Sequence, residues 1–213
     1  KDAVVLIEVW SDVVCPWCYI GKKRLDKAIA QFEHRDDVQI VHRAFQLQPD
    51  AVGVHPTKEH LAEKYGMSPL QVDQMQQQVC DIASGEGLCY DLSNTLSGNT
   101  KDAHRLLLWA EGVGAQEALL HVMYAAYFEQ GKALFTHADL LALVAEAGLD
   151  VAAATQVLES NAFDAEVEEH IATARAFGAT GVPFFVFDRK YGISGAQPLE
   201  AFTQTLQAAW SEV

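Results

Sequence analysis

An almost unbroken apolar run, Val4-Val5-Leu6-Ile7-Glu8-Val9-Trp10, opens the chain. It is the pattern of a strand covered on both faces. The link Ser11-Asp12-Val13-Val14 leads to Cys15, and from Pro16 to Phe32 the residues Leu25, Ala28, Ile29 and Phe32 form a helical apolar stripe. Val38-Gln39-Ile40-Val41, inside 37–45, predicts a second strand, so the opening is β-α-β. From Thr57 to Phe177 the pattern is mostly helical. Ser68-Pro69-Leu70-Gln71 combines an N-cap, a proline at the first helical position and a capping-box glutamine. The helix it opens should reach about Ala83, before Gly85 and Gly87. Further helices are predicted from Asn99 or Thr100 through Trp109, over 116–129, from Thr136 to Gly148, over 150–158 and over 164–177. At Thr180 the pattern changes to a strand, Val182–Phe187, a turn at 188–190, and a short returning strand, Tyr191–Ser194. A last helix runs from about Pro198 to Trp210, with Leu199, Phe202, Leu206 and Trp210 at near-helical spacing.

A length of 213 residues fits one domain, or one domain with a large insertion, and supports a sizeable core without staples. With 29 Asp+Glu against 15 Lys+Arg, the net charge of -14 repels a phosphate backbone. Nucleic acid is therefore not the expected partner. Nor is a membrane, since no apolar run has the length of a spanning helix. The supplied N-terminus, Lys1-Asp2-Ala3-Val4-Val5, lacks the pattern of a signal peptide, and the expected location is cytoplasmic.

The candidate chemistry lies in Cys15-Pro16-Trp17-Cys18. A strand, a short turn and Cys-x-x-Cys opening a helix suggest a thioredoxin-like redox centre. Cysteines three apart on a first helical turn can come within disulfide reach. Unpaired helix N-terminal N–H groups stabilise a thiolate at the first position, which makes Cys15 the nucleophile and Cys18 the resolving thiol. Pro16 fits early in the helix, and Trp17 adds an aromatic surface for substrate. An inert pair or half of a zinc site are the alternatives; zinc would need two further ligands, such as Cys80 and Cys89. Those two cysteines read as reduced, partly buried residues, with a local disulfide or a relay to Cys15 as the other options. Val182-Pro183 is the second element. A proline in an apparently central strand fits if Pro183 is cis at the strand start, leaving the Val182 backbone free to pair with an extended substrate beside Cys15. Glu8 is the third: a carboxylate in an apolar strand could take up protons during release of Cys18, with its pKa raised by burial. Asp12 is expected in the loop. Trp10, Phe184, Phe185 and Phe187 read as core, and Trp17 and Tyr19 as substrate contacts. His104 and Arg105 face a cleft or else are, respectively, a satisfied helix histidine and an ion-paired surface residue. His55 and His60 lack the cluster of a metal site.

These stretches resemble the DsbA-like oxidoreductases, in particular their FrnE-like branch. The resemblance rests on Glu8–Gly21, on Phe45-Gln46-Leu47, on Glu59–Gly66, on Ala103–Leu106, on Gly181–Phe187 and on Ile193–Gln197. It implies an α/β, thioredoxin-like fold with a large all-helical insertion, here residues 1–50 and 178–213 as the core and 51–177 as the insertion; the continuous apolar patterning without a flexible linker predicts that the insertion packs as one compact unit and walls a cleft near Phe45 and Trp17. It implies dithiol-disulfide oxidoreductase or isomerase activity, with Cys15 as nucleophile, Cys18 as resolving cysteine, Pro183 as the cis proline and Glu8 as the buried glutamate. The stretch from Glu8 to Cys15 is one residue longer than in the best-known DsbA pattern. No tightly bound cofactor is implied. The partner is a thiol- or disulfide-containing protein or small molecule, with glutathione or a protein dithiol as redox partner, and a helical face is available for a homodimer. The fold is shared with 2-hydroxychromene-2-carboxylate isomerases and kappa-class glutathione transferases, so a glutathione-dependent isomerase or transferase is the enzymatic alternative. A polypeptide-binding chaperone is the non-enzymatic one.

Overall fold

The computed structural model describes residues 4–213; Lys1–Ala3, part of the stretch read for a signal peptide, lie outside the described residues. Strand β1 (Val5–Ser11) leads into helix α1 (Pro16–Ala30) and strand β2 (Val38–Ala44). Then come a two-residue strand β3 (His55–Pro56), α2 (Thr57–Tyr65), α3 (Pro69–Gly85), a second two-residue strand β4 (Leu96–Ser97) and α4 (Lys101–Gly112). Helices α5 (Gln116–Tyr124), α6 (His137–Glu146), α7 (Val151–Glu159) and α8 (Asp164–Ala176) follow, and β5 (Phe184–Phe187), β6 (Tyr191–Ser194) and α9 (Leu199–Trp210) close the chain.

The four-stranded sheet has the order β2-β1-β5-β6, with β1 parallel to β2 and antiparallel to β5. The central position of β1 explains its apolar sequence: side chains alternate between two covered faces. Ile7 and Val9 pack with Phe185, Phe187 and Phe202 beneath α1 and α9. Trp10 goes to the other face, with Val167, Ile171 and Phe184 under α8, and its indole Nε1 donates to the His170 carbonyl at 2.8 Å. A third cluster joins Val13, Cys15, Cys18, Tyr19 and Ile20 to α3 through α7. The Cys15 end of α1 is therefore built into the helical section. This is the thioredoxin-like α/β architecture expected from the chain's two ends.

The capping box of α3 forms in full: Ser68 Oγ accepts from Gln71 N–H, and the Gln71 side chain accepts from Ser68 N–H at 2.8 Å. Thr136 caps α6 through Asp139 N–H. Three expectations need correction. The inserted section is not all-helical, because β3 and β4 pair antiparallel within it. Strands of two residues, one of them a proline, leave no periodicity to read. The helix expected over 116–129 is regular only to Tyr124, and Ala125–Glu129 continues it as π-helix. The second strand runs on to Ala44 and buries His42, which interrupts its apolar run. Among the described residues no helix is long and apolar enough to cross a membrane.

Candidate active site

Cys15 occupies the N-cap position of α1 with an extended backbone, φ −88° and ψ 114°. Its N–H donates to the Asp12 carbonyl at 3.1 Å, and its own carbonyl accepts from Cys18 N–H at 3.0 Å. This turn sets Cys15 at the mouth of a cleft and Cys18 behind it: the two are 5% and 0% exposed. Both thiols are free. The Tyr90 hydroxyl donates to the Pro16 carbonyl at 2.6 Å and ties the first turn to the π-helical segment, where Tyr90 stacks on Phe128.

The Val182–Pro183 peptide bond is cis, and the Cys15 thiol points at the Val182 carbonyl, Sγ to O 3.8 Å. Gly21 explains how α1 comes so near this strand. A Cβ there would sit 3.1 Å from Pro183 Cγ and 3.2 Å from the Phe185 ring. The cleft beside Cys15 has a volume of about 670 Å³. Cys15, Pro16 and Trp17 form one wall, α2 and α3 face them with Leu61, Lys64 and Val79, and Tyr127 and Phe128 also line the cleft. Leu47 and Gln48 line it where Phe45 was expected; Phe45 is buried with Trp10 instead. Trp17 is 37% exposed beside the cleft, whereas Tyr19, also expected to contact substrate, is buried and stacked on Tyr124 at 4.8 Å. Two positions further along a helix, the side chain turns to another face.

Burial pushes the Cys18 thiol well up, the adjacent Cys15 adds to this, and a backbone hydrogen bond from Asp12 opposes it. Glu8 departs from expectation. It is buried, but on the β1 face of Trp10, where Arg43 Nε and Arg189 Nε and NH2 donate to its two oxygens at 2.8–2.9 Å. Burial alone would raise this carboxyl, but the two guanidiniums outweigh it and hold it below the usual carboxylate range. The raised pKa expected of Glu8 is thus reversed by two arginines that the sequence did not bring near it. Glu8→Gln should lower stability by roughly 1–3 kcal/mol, since it weakens charge-assisted bonds to partly exposed arginines. It should leave disulfide exchange kinetics in place. Chemical denaturation with parallel kinetics checks this, and a large rate loss at intact stability would return Glu8 to the redox chemistry.

The carboxylate that does adjoin Cys18 is Asp12, 1% exposed. Its Oδ2 accepts from Leu47 N–H at 2.9 Å, and Oδ1 is 3.0 Å from His104 Nε2. His104 is accordingly a buried, satisfied histidine. Arg105 is no surface residue: 4% exposed, it donates to the carbonyls of Val157, Ser160 and Ala162 and to Asp102. Cys80 is partly buried and Cys89 exposed. Among the described residues no group of three His, Cys, Asp or Glu is arranged to hold a metal ion. Ser11, His42 and Gln116 also belong to the buried surroundings of the site and were not singled out from sequence. Their signal was slight: polar residues at the end of, or inside, apolar segments.

The sequence profile of the DSBA-like thioredoxin domain matches residues 6–207. A crystal structure of a "probable DsbA oxidoreductase" from Streptomyces coelicolor superposes with a TM-score of 0.94 at 44% identity, covering 98% of this chain and 91% of that one. The cytosolic disulfide reductase DsbM from Pseudomonas aeruginosa gives 0.69 at 18% identity over 98% of this chain and 100% of that one. A 2-hydroxychromene-2-carboxylate isomerase gives 0.66 at 18% identity over 97% and 95%. These last two likenesses are of fold. A search of curated proteins returned no match.

Proposed function

Because the chain belongs to the DSBA-like thioredoxin domain family, we propose that it is a dithiol-disulfide oxidoreductase or isomerase of the FrnE-like kind, working through Cys15 and Cys18. The observation that carries this reading is the pair's placement. Cys15 stands at a helix N-cap, at the mouth of a large cleft and beside the Val182 carbonyl, with Cys18 buried directly behind. Cys15 thiolate attacks one sulfur of a substrate disulfide and forms a mixed disulfide, while the other substrate sulfur leaves as thiolate. Cys18 then attacks Cys15 Sγ, the Cys15–Cys18 bond forms, and the second substrate thiolate departs. The reverse sequence oxidises a substrate dithiol. Trp17 and Pro16 flank the reacting sulfur, and the Val182–Pro183 backbone positions an extended substrate by main-chain pairing. The inserted residues 51–177 act as the opposite wall of the substrate cleft.

A glutathione-dependent isomerase or transferase is the second reading. It draws on the shared fold of the isomerase and on DsbM, whose structure with GSH also superposes on this chain, TM-score 0.65. Lys64 in the cleft offers a cation to a peptide carboxylate. Cys18 favours exchange, because activation of a glutathione thiolate needs no second thiol. Turnover with a peptide disulfide, a peptide dithiol and glutathione, each supplied separately, divides the readings. Exchange with either peptide substrate supports the first, glutathione-dependent conversion of an electrophilic or isomerisable small molecule without peptide exchange the second, and peptide binding without any thiol turnover would leave a chaperone.

A further inference from the structure

The lining of the cleft departs from the composition of the chain. The sequence holds 29 Asp+Glu and a net charge of -14, yet no Asp or Glu among the described residues lines the cleft beside Cys15. Its one Lys, Arg, Asp or Glu is Lys64. The spacing along α2 produces this arrangement. Thr57, His60, Leu61 and Lys64 recur at intervals of three and four, so they share one helical face, and that face lines the cleft. Glu59 and Glu63 fall on the opposite side of the helix, exposed and outside the cleft.

Lys64 is also left without a counter-charge. Lys58, on the same helix, is held by Asp73 at 2.7 Å. Among the described residues Lys64 makes no ion pair, and its ammonium lies 5.2 Å from the centre of the Tyr65 ring. Polar neighbours in the cleft are engaged with one another: His60 Nε2 is 3.0 Å from Gln48 Nε2, and Thr57 Oγ1 is 3.1 Å from Ser97 Oγ. The rest of the surroundings are apolar. Of the large apolar side chains that this protein exposes, Trp17, Leu47, Tyr65 and Ile82 gather at the cleft.

We infer that the cleft selects a polypeptide substrate whose reacting cysteine lies near both a bulky apolar residue and an acidic side chain, and that Lys64 receives the acid. The inference rests on the dithiol-exchange reading and adds a specificity to it. The exposed apolar side chains accept the bulky residue, and Lys64 is the specificity-determining residue for the carboxylate. An unpaired ammonium beside apolar walls attracts an anion more strongly than one in open water, because less solvent screens the pair. The net charge acts in the other direction and repels an acidic substrate at long range. At physiological ionic strength that field is screened over about 8 Å, so within the cleft the near cation outweighs the remote carboxylates. A cavity of about 670 Å³ is on the order of 10 Å across, the length of about three extended residues, which places the acid within roughly three residues of the cysteine.

The test uses peptides blocked at both ends, each with one cysteine, a neighbouring leucine and, two residues from the cysteine, Glu, Gln or Lys. Each is prepared as the mixed disulfide with the neutral thiol 2-mercaptoethanol and reacted with the reduced protein at about 0.15 M ionic strength. Every rate constant is divided by that of the same disulfide with dithiothreitol, which removes the effect of the peptide's charge on its own sulfur. The wild-type protein should take the Glu peptide at least about fivefold faster than the Lys peptide. Lys64→Gln should bring that ratio to about one or below, and Lys64→Glu should invert it. The ratio is taken within one protein, so partial loss of folded material in a variant cancels. A Lys peptide as fast as the Glu peptide in the wild type, or a ratio that neither Lys64 variant changes, would overturn the inference and leave the dithiol reading standing. So would a preference that appears only when the Gln peptide is given a free C-terminal carboxylate, since Lys64 would then serve a chain end, as in a glutathione-like ligand. Failure of the wild-type protein to react with any of the peptides would remove both.

Discussion

Cys15→Ser is expected to abolish disulfide exchange, with a loss of at least about a thousandfold. The attacking species must be a thiolate, and a serine hydroxyl at the same place stays protonated. Cys18 cannot substitute. It is fully buried behind Cys15, and burial together with the Cys15 thiol pushes its pKa well up. Cys15, by contrast, lines the cleft and sits at the helix N-cap, against the Val182 carbonyl. The serine change is nearly isosteric, so the fold and thermal stability should be retained while turnover is lost. Rates of a peptide disulfide reaction, with the melting curve as control, check this. Retained turnover in a folded Cys15→Ser protein would move the nucleophile elsewhere.

The largest effect on stability is expected at Arg105. Its guanidinium leaves α4 and spans the connection between α7 and α8, holding the carbonyls of Val157, Ser160 and Ala162. The Asp102 carboxylate balances its charge from one turn earlier on α4 at 2.9 Å. Arg105→Ala strands these carbonyls and leaves a void beneath α7. A loss of roughly 3–5 kcal/mol follows from several charge-assisted bonds removed together. Denaturant unfolding should show a lower midpoint at similar slope. A loss below about 1 kcal/mol would mean that water replaces the guanidinium at little cost, in line with a surface ion pair.

How much of this was legible in the chain depends on the range of each interaction. The β-α-β opening, the β-β-α close, the α3 capping box and the Cys15–Cys18 turn are local patterns, with periodicities or spacings of a few residues. The short sheet of His55–Pro56 and Leu96–Ser97 depends on a contact across 40 residues and carries no local signal. The same distinction governs the site. Glu8 read as a reactive carboxylate because it stood alone in an apolar strand, yet Arg43 and Arg189, separated from it by 35 and 181 residues, make it an ion pair. Asp12 read as a loop residue, and it is in the loop; only the arrival of His104, 92 residues on, makes it part of a buried chain. The added residue between Glu8 and Cys15, relative to the best-known DsbA pattern, is the available hint that Glu8 need not stand where the DsbA glutamate stands.

The central claim, that Cys15 attacks and Cys18 resolves, is tested most directly by trapping. Cys18→Ser and Cys15→Ser proteins are each incubated with a peptide disulfide, and the adducts are located by intact mass and peptide mapping. The account predicts one peptide held by Cys15 in the Cys18→Ser protein and no comparable adduct at Cys18 in the Cys15→Ser protein. Equal trapping by both variants, or attachment at exposed Cys89 in place of Cys15, would contradict it.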